Sequence, residues 1–154
     1  MQRIRVAFFL AMFLVGSMAL GQTGAIQAPK FDHATVYVRD LDKSASFYEK
    51  VLGFERIQEP FKDGRHVWFR VGPHDQLHVV SGATAPMEHE INVHLAFRVA
   101  SVPDFVSRLD KAGVKYRKSI RGDGTVATPR PDGVNQIYFQ DPDGYWIEVN
   151  DDKF

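Results

Sequence analysis

From Phe31 the chain alternates through Asp32, His33, Ala34, Thr35, Val36, Tyr37 and Val38, a run rich in β-branched and aromatic residues, and this period of two predicts a strand. Asp40 and Asp42 then open a stretch in which Ser44, Phe47, Tyr48 and Val51 recur at helical spacing, and Gly53 stops it. Sixty-one residues on, the signals return. Val93 to Val99 is again a strand, Ser101 followed by Pro103 and Asp104 starts a helix, Phe105, Val106 and Leu109 form its apolar stripe, and Gly113 ends it. Short strands follow each helix: Glu55 to Gln58, Val67 to Val71 and Gln76 to Val80 in the first half, Val114 to Lys118, Gln136 to Gln140 and Tyr145 to Asn150 in the second. Asp141-Pro142-Asp143-Gly144 is a tight turn between the last two. The unit is βαβββ and occurs twice, over about 31–82 and 91–150, which predicts an α+β fold of two modules paired into a cup-shaped mixed sheet.

The helix of each unit must cover one sheet face, and the alternation assigns Val36, Val38, Leu95, Phe97, Val99, Ile137, Phe139, Ile147 and Val149 to it. The other face then carries His33, Thr35 and Tyr37, Gln76 and His78, His94, Ala96 and Arg98, Gln136, Tyr138 and Gln140, and Trp146 and Glu148. His94 falls on His33, and aligning the final strands through their turns sets Glu148 on His78. A single histidine on a strand says little, because most are solvated or hydrogen-bonded. Two at one place in two repeats, with a His and a Glu at a second shared place, are not what packing alone selects. About a pseudo-twofold axis these four would converge as three imidazoles and one carboxylate. His66, His74 and His89 stand beside turns and read as surface residues.

Composition narrows the chemistry. The 154 residues hold 19 Lys and Arg against 19 Asp and Glu, scattered rather than striped, so there is no electrostatic footprint for nucleic acid. With no cysteine there is no disulfide, no thiolate nucleophile and no Cys-ligated metal, and any metal must be held by His and carboxylates. Arg3 and Arg5 precede an apolar run from Val6 to Leu20 that is too short to span a bilayer, and Ala19-Leu20-Gly21 offers small residues for cleavage. The expectation is a secretory signal over 1–21, a polar tether over 22–30, a domain over 31–150, and a periplasmic or secreted protein.

The segments His33 to Ser44 with Phe47-Tyr48, Val51-Leu52-Gly53-Phe54, His94 to Val99 and Gln140 to Glu148 resemble the vicinal oxygen chelate superfamily, which includes glyoxalase I, the fosfomycin and bleomycin resistance proteins and the extradiol dioxygenases. The run Asp141 to Glu148 is its most specific part. The resemblance implies a metal-holding cup, often completed by a second subunit, and hence a homodimer. It implies a divalent ion, Zn, Fe, Ni or Mn, with His33, His78, His94 and Glu148 as the candidate ligands. Where four-ligand relatives carry Glu or Gln at one position, this chain has His78, with Gln76 as a rival two residues earlier. Glu148 and His78 are the candidate catalytic groups, and Tyr37, Trp68, Arg98 and Tyr138 the candidate contacts to a small-molecule substrate. The implied activity is chelation of vicinal oxygens in lyase or isomerase chemistry. The alternatives are non-catalytic binding of a bleomycin-type drug and an iron-dependent extradiol dioxygenase.

Overall fold

The computed structural model describes residues 27–85 and 87–153. The proposed signal and the first part of the tether lie outside the described residues, and Gln27 to Lys30 are exposed and without regular structure. The domain begins with β1 (His33–Val38), α1 (Leu41–Phe47), β2 (Glu55–Ile57), β3 (His66–Arg70) and β4 (Gln76–Ser81). It repeats with β5 (His94–Arg98), α2 (Val102–Ala112), β6 (Tyr116–Arg117), β7 (Gln136–Gln140) and β8 (Trp146–Asn150). The helix starts are those the sequence predicts: Asp40 accepts the Lys43 amide at 3.0 Å, and the Ser101 hydroxyl accepts that of Asp104 at 3.3 Å. Gly53 and Gly113 end their helices with φ of 79° and 67°, a conformation that a side chain disfavours. One departure is that α1 runs on as a π-helical turn, Tyr48–Leu52. Simple periodicity reads this stretch as α-helix, because the wider turn still leaves both Tyr48 and Val51 buried.

Each module forms a four-stranded mixed sheet, ordered β1-β4-β3-β2 and β5-β8-β7-β6. In both, the first and last strands pair in parallel and the other pairs are antiparallel. The register makes the duplication positional: Thr35 stands opposite His78 and Ala96 opposite Glu148, while Trp68 faces His78 and Tyr138 faces Glu148.

Both sheets turn their apolar faces to one core. Val36, Val38, Phe69, Leu77 and Val79 from the first sheet join Ile137, Phe139, Ile147 and Val149 from the second, with Tyr48, Phe105 and Leu109 from the helices. Phe139 packs on both Phe47 and Phe105, and Phe54 meets Phe97 edge-on at 5.0 Å. Leu95, Phe97 and Val99 pack at the margin of this core. The turn at Asp141 to Gly144 is also an anchor between the modules. Asp143 receives the backbone and guanidinium of Arg39 at 2.9 and 3.1 Å and the Ser44 hydroxyl at 2.7 Å, and Asp141 receives the Tyr48 hydroxyl at 2.7 Å. Since the apolar faces share a core, the polar faces of the two sheets look away from it.

Candidate metal centre

His33, at the start of β1, and His78, in β4, lie on the polar face of the first sheet. Their rings stack with centroids 4.1 Å apart and planes 16° from parallel, and Trp68 from β3 stacks on the other side of His78 at 3.8 Å and 6°. Phe61, in the loop before β3, stands edge-on to Trp68 at 6.0 Å. The indole nitrogen of Trp68 is buried without a hydrogen-bond partner among the described residues. His33 Nδ1 contacts Asp32 Oδ2 at 2.6 Å, and His78 Nε2 contacts Gln76 Oε1 at 2.9 Å. Burial between the rings pushes the His78 pKa down, and the neighbouring His33 pushes it further the same way.

On the second sheet His94, at the start of β5, meets Glu148 of β8, with Nε2 and Oε2 3.3 Å apart. His94 Nδ1 donates to the Ile91 carbonyl at 2.7 Å, and Glu148 Oε1 accepts the Asn150 amide at 2.8 Å. Tyr138 is edge-on to His94 at 5.4 Å. Burial, and then the hydrogen bond and charge of Glu148, hold the Tyr138 hydroxyl far above the usual phenol range, so it stays protonated.

The four candidate ligands are thus joined as two pairs, one per sheet, and among the described residues of a single chain no three His, Asp or Glu side chains come together as a metal site. Each pair nevertheless has the donor chemistry that a divalent ion requires. His33 and His94 both have Nδ1 engaged by an oxygen, the arrangement that fixes the tautomer of a ligating histidine and leaves Nε2 to the metal. The 3.3 Å between His94 and Glu148 is about what two donors, each ~2.1 Å from one ion, would keep.

The candidate substrate contacts divide. Trp68 and Tyr138 stand beside the two pairs. Tyr37 and Arg98 lie four residues along their strands from His33 and His94, about 13 Å at 3.3 Å per residue. His74 is exposed as expected, but His66 is half-buried against Phe61, and His89 is half-buried with its ring stacked on Tyr145 at 4.0 Å. Pattern reading missed Asp32, Asn150 and the cavity beside Trp146. That cavity, of about 460 Å³, is lined by Tyr138, Gln140, Lys115 and Arg117, with the Arg117 guanidinium over the Trp146 ring. A carboxylate directly before His33 was a visible signal for the first of these.

Two repeated βαβββ modules, with His at the first strand of each and a carboxylate on the last, define a glyoxalase-like protein of paired modules. The chain belongs to the Glyoxalase/Bleomycin resistance protein/Dioxygenase superfamily, whose profile matches residues 30–149. Glyoxylase I 4 of Arabidopsis thaliana is 27% identical over 128 residues, covering 77% of this chain and 68% of the relative. Among solved structures, a glyoxalase family protein from Bacillus anthracis is 26% identical with a TM-score of 0.63, covering 82% of this chain and 98% of that one. The fosfomycin resistance protein FosX of Listeria monocytogenes, solved with Mn(II) and a dihydroxypropylphosphonic acid, shares the fold at 21% identity and a TM-score of 0.66, covering 83% of this chain and 95% of that one.

Proposed function

We propose that this protein is an exported, metal-dependent enzyme of the superfamily, acting on a small substrate with two neighbouring oxygens, and that its centre is assembled between two copies of the chain. His33 of one chain would join the partner's His94 and the partner's Glu148. The observation that carries the reading is the shared state of His33 and His94, each with Nδ1 held by an oxygen, and His94 with Nε2 turned to the Glu148 carboxylate. A divalent ion there would act as a Lewis acid toward two adjacent substrate oxygens and favour an enolate or oxyanion. Glu148 would hold the ion, with the protonated Tyr138 donating its one hydrogen bond to that carboxylate.

A second copy is supported by what one chain leaves open. The His33 side chain is 42% exposed. β1 and β5 each form one edge of their sheets, and Phe31, Tyr37 and Val93 stand exposed at or near them. Lyase or isomerase chemistry is the reading we favour, since it needs only proton transfer beside such an anion. Iron would point instead to the extradiol dioxygenase reading, since His33, His94 and Glu148 make a 2-His-1-carboxylate set. Metal analysis of untagged protein, followed by assays on hemithioacetals, epoxides and catechols, separates these. H33A, H94A and E148A should each lose most bound metal while H74A keeps it, and equal loss in all four would mean adventitious surface binding. Export rests on the charge, length and small residues of Met1 to Gly21. Mass spectrometry of protein recovered outside the cytoplasm should find a chain beginning near Gln22, and an intact Met1 on a cytoplasmic chain would refute export.

A further inference from the structure

We propose that His78 is a positioning residue and not a metal ligand: its ring, held between Trp68 and His33, sets the plane of the His33 imidazole and leaves the centre with three protein ligands, His33, His94 and Glu148. The inference rests on the metal centre proposed above.

An imidazole donates along its own ring plane. Two histidines can therefore share an ion only if their planes meet near it. The planes of His33 and His78, 16° apart with centroids separated by 4.1 Å, converge only on the order of 10 Å away, several times the ~2 Å metal–nitrogen bond. The stacked rings thus exclude joint ligation, and their other contacts decide which one serves. His33 is open on one side, and its Nδ1 is held by Asp32. His78 is buried, covered by a ring on each face, and its Nε2 is tied to the Gln76 side-chain oxygen. That bond also engages Gln76, the other candidate for a fourth ligand.

The second module puts the same three positions to a different use. Glu148 occupies the place of His78 and Tyr138 that of Trp68, yet there His94 stands 76° to the Tyr138 ring and its Nε2 converges on the carboxylate. One repeat has a ligand where the other has a plate. A three-ligand set leaves the ion one more open position than a four-ligand set, so a substrate can be held through two oxygens with a further position for water or a third donor.

Wild-type protein loaded with Cu(II) and examined by electron spin-echo envelope modulation counts the bound imidazoles directly and needs no variant. Two imidazoles per ion are expected, and three would overturn the proposal. Calorimetric titration with Zn(II) supplies the second readout. H78F keeps a stacking ring without a donor nitrogen and should hold Zn(II) within about threefold of wild type, whereas H78A should weaken it about tenfold by freeing His33. Loss in H78F as severe as in H33A, or no loss in H78A, would each overturn it. If wild-type protein takes up neither ion, the metal centre itself fails and this inference with it; three imidazoles would remove only the inference.

Discussion

At the scale of single residues, the proposed centre depends on which nitrogen of each imidazole is turned to it. Asp32 at 2.6 Å from His33 Nδ1 and the Ile91 carbonyl at 2.7 Å from His94 Nδ1 make the same choice in both modules, once with a side chain and once with backbone. The two differ in how easily they can be tested. D32A should weaken Zn(II) binding by about 10- to 100-fold while leaving the fold intact, as calorimetry beside circular dichroism would show, and unchanged affinity would deny Asp32 this role. The histidine pattern was legible because His33 and His94 sit at matching places on alternating strands. The stack of Trp68 on His78 was not, since strand alternation tells which face a ring is on but not whether neighbouring rings lie parallel or edge-on.

At the scale of elements, strands and helix starts were legible because alternation, capping residues and glycine stops act locally. What the turn Asp141 to Gly144 does was not, because its partners Arg39, Ser44 and Tyr48 lie about a hundred residues away. Its two carboxylates are pushed in opposite directions. Burial dominates at Asp141 and raises its pKa, despite the hydrogen bonds from Tyr48 and the backbone of Tyr145. At Asp143 burial works the same way but is outweighed by the Arg39 amide, the Ser44 hydroxyl and the Arg39 charge, so its pKa lies below the usual carboxylate range. Because folding lowers the Asp143 pKa, its contribution is present at neutral pH and is lost as pH falls through the folded value. S44A should therefore cost about 1.5–3 kcal/mol in urea unfolding at pH 7, the range for a hydrogen bond to a charged group, with a smaller cost at pH 3. A cost that is the same at both pH values would mean that the charge of Asp143 plays no part.

At the scale of the whole molecule, the expected convergence of the four candidate ligands within one chain gives way to two pairs on separate sheets. The duplication was legible as a repeated pattern, and so was the place of each ligand on the polar side of its strand. How the modules pack was not. Periodicity tells a strand which side to bury, but it does not tell two sheets whether to join edge to edge or to enclose their helices in a common core. The packing of Phe139 on Phe47 and Phe105, and of Phe54 on Phe97, shows that they take the second course, and this leaves His33 and the His94–Glu148 pair on different faces. The proposed centre, shared between two copies, has a direct consequence when two crippled chains are mixed. In the proposed dimer, H33A and E148A would each lack part of every site in their own homodimers. A heterodimer of the two would have one site with both halves intact, built from the unaltered His33 of one chain and the unaltered His94 and Glu148 of the other. After equal amounts are unfolded together and refolded, about a quarter of the sites should recover tightly bound metal, while neither variant refolded alone recovers any. A mixture that binds no more metal than its separate components would contradict a centre shared between two copies.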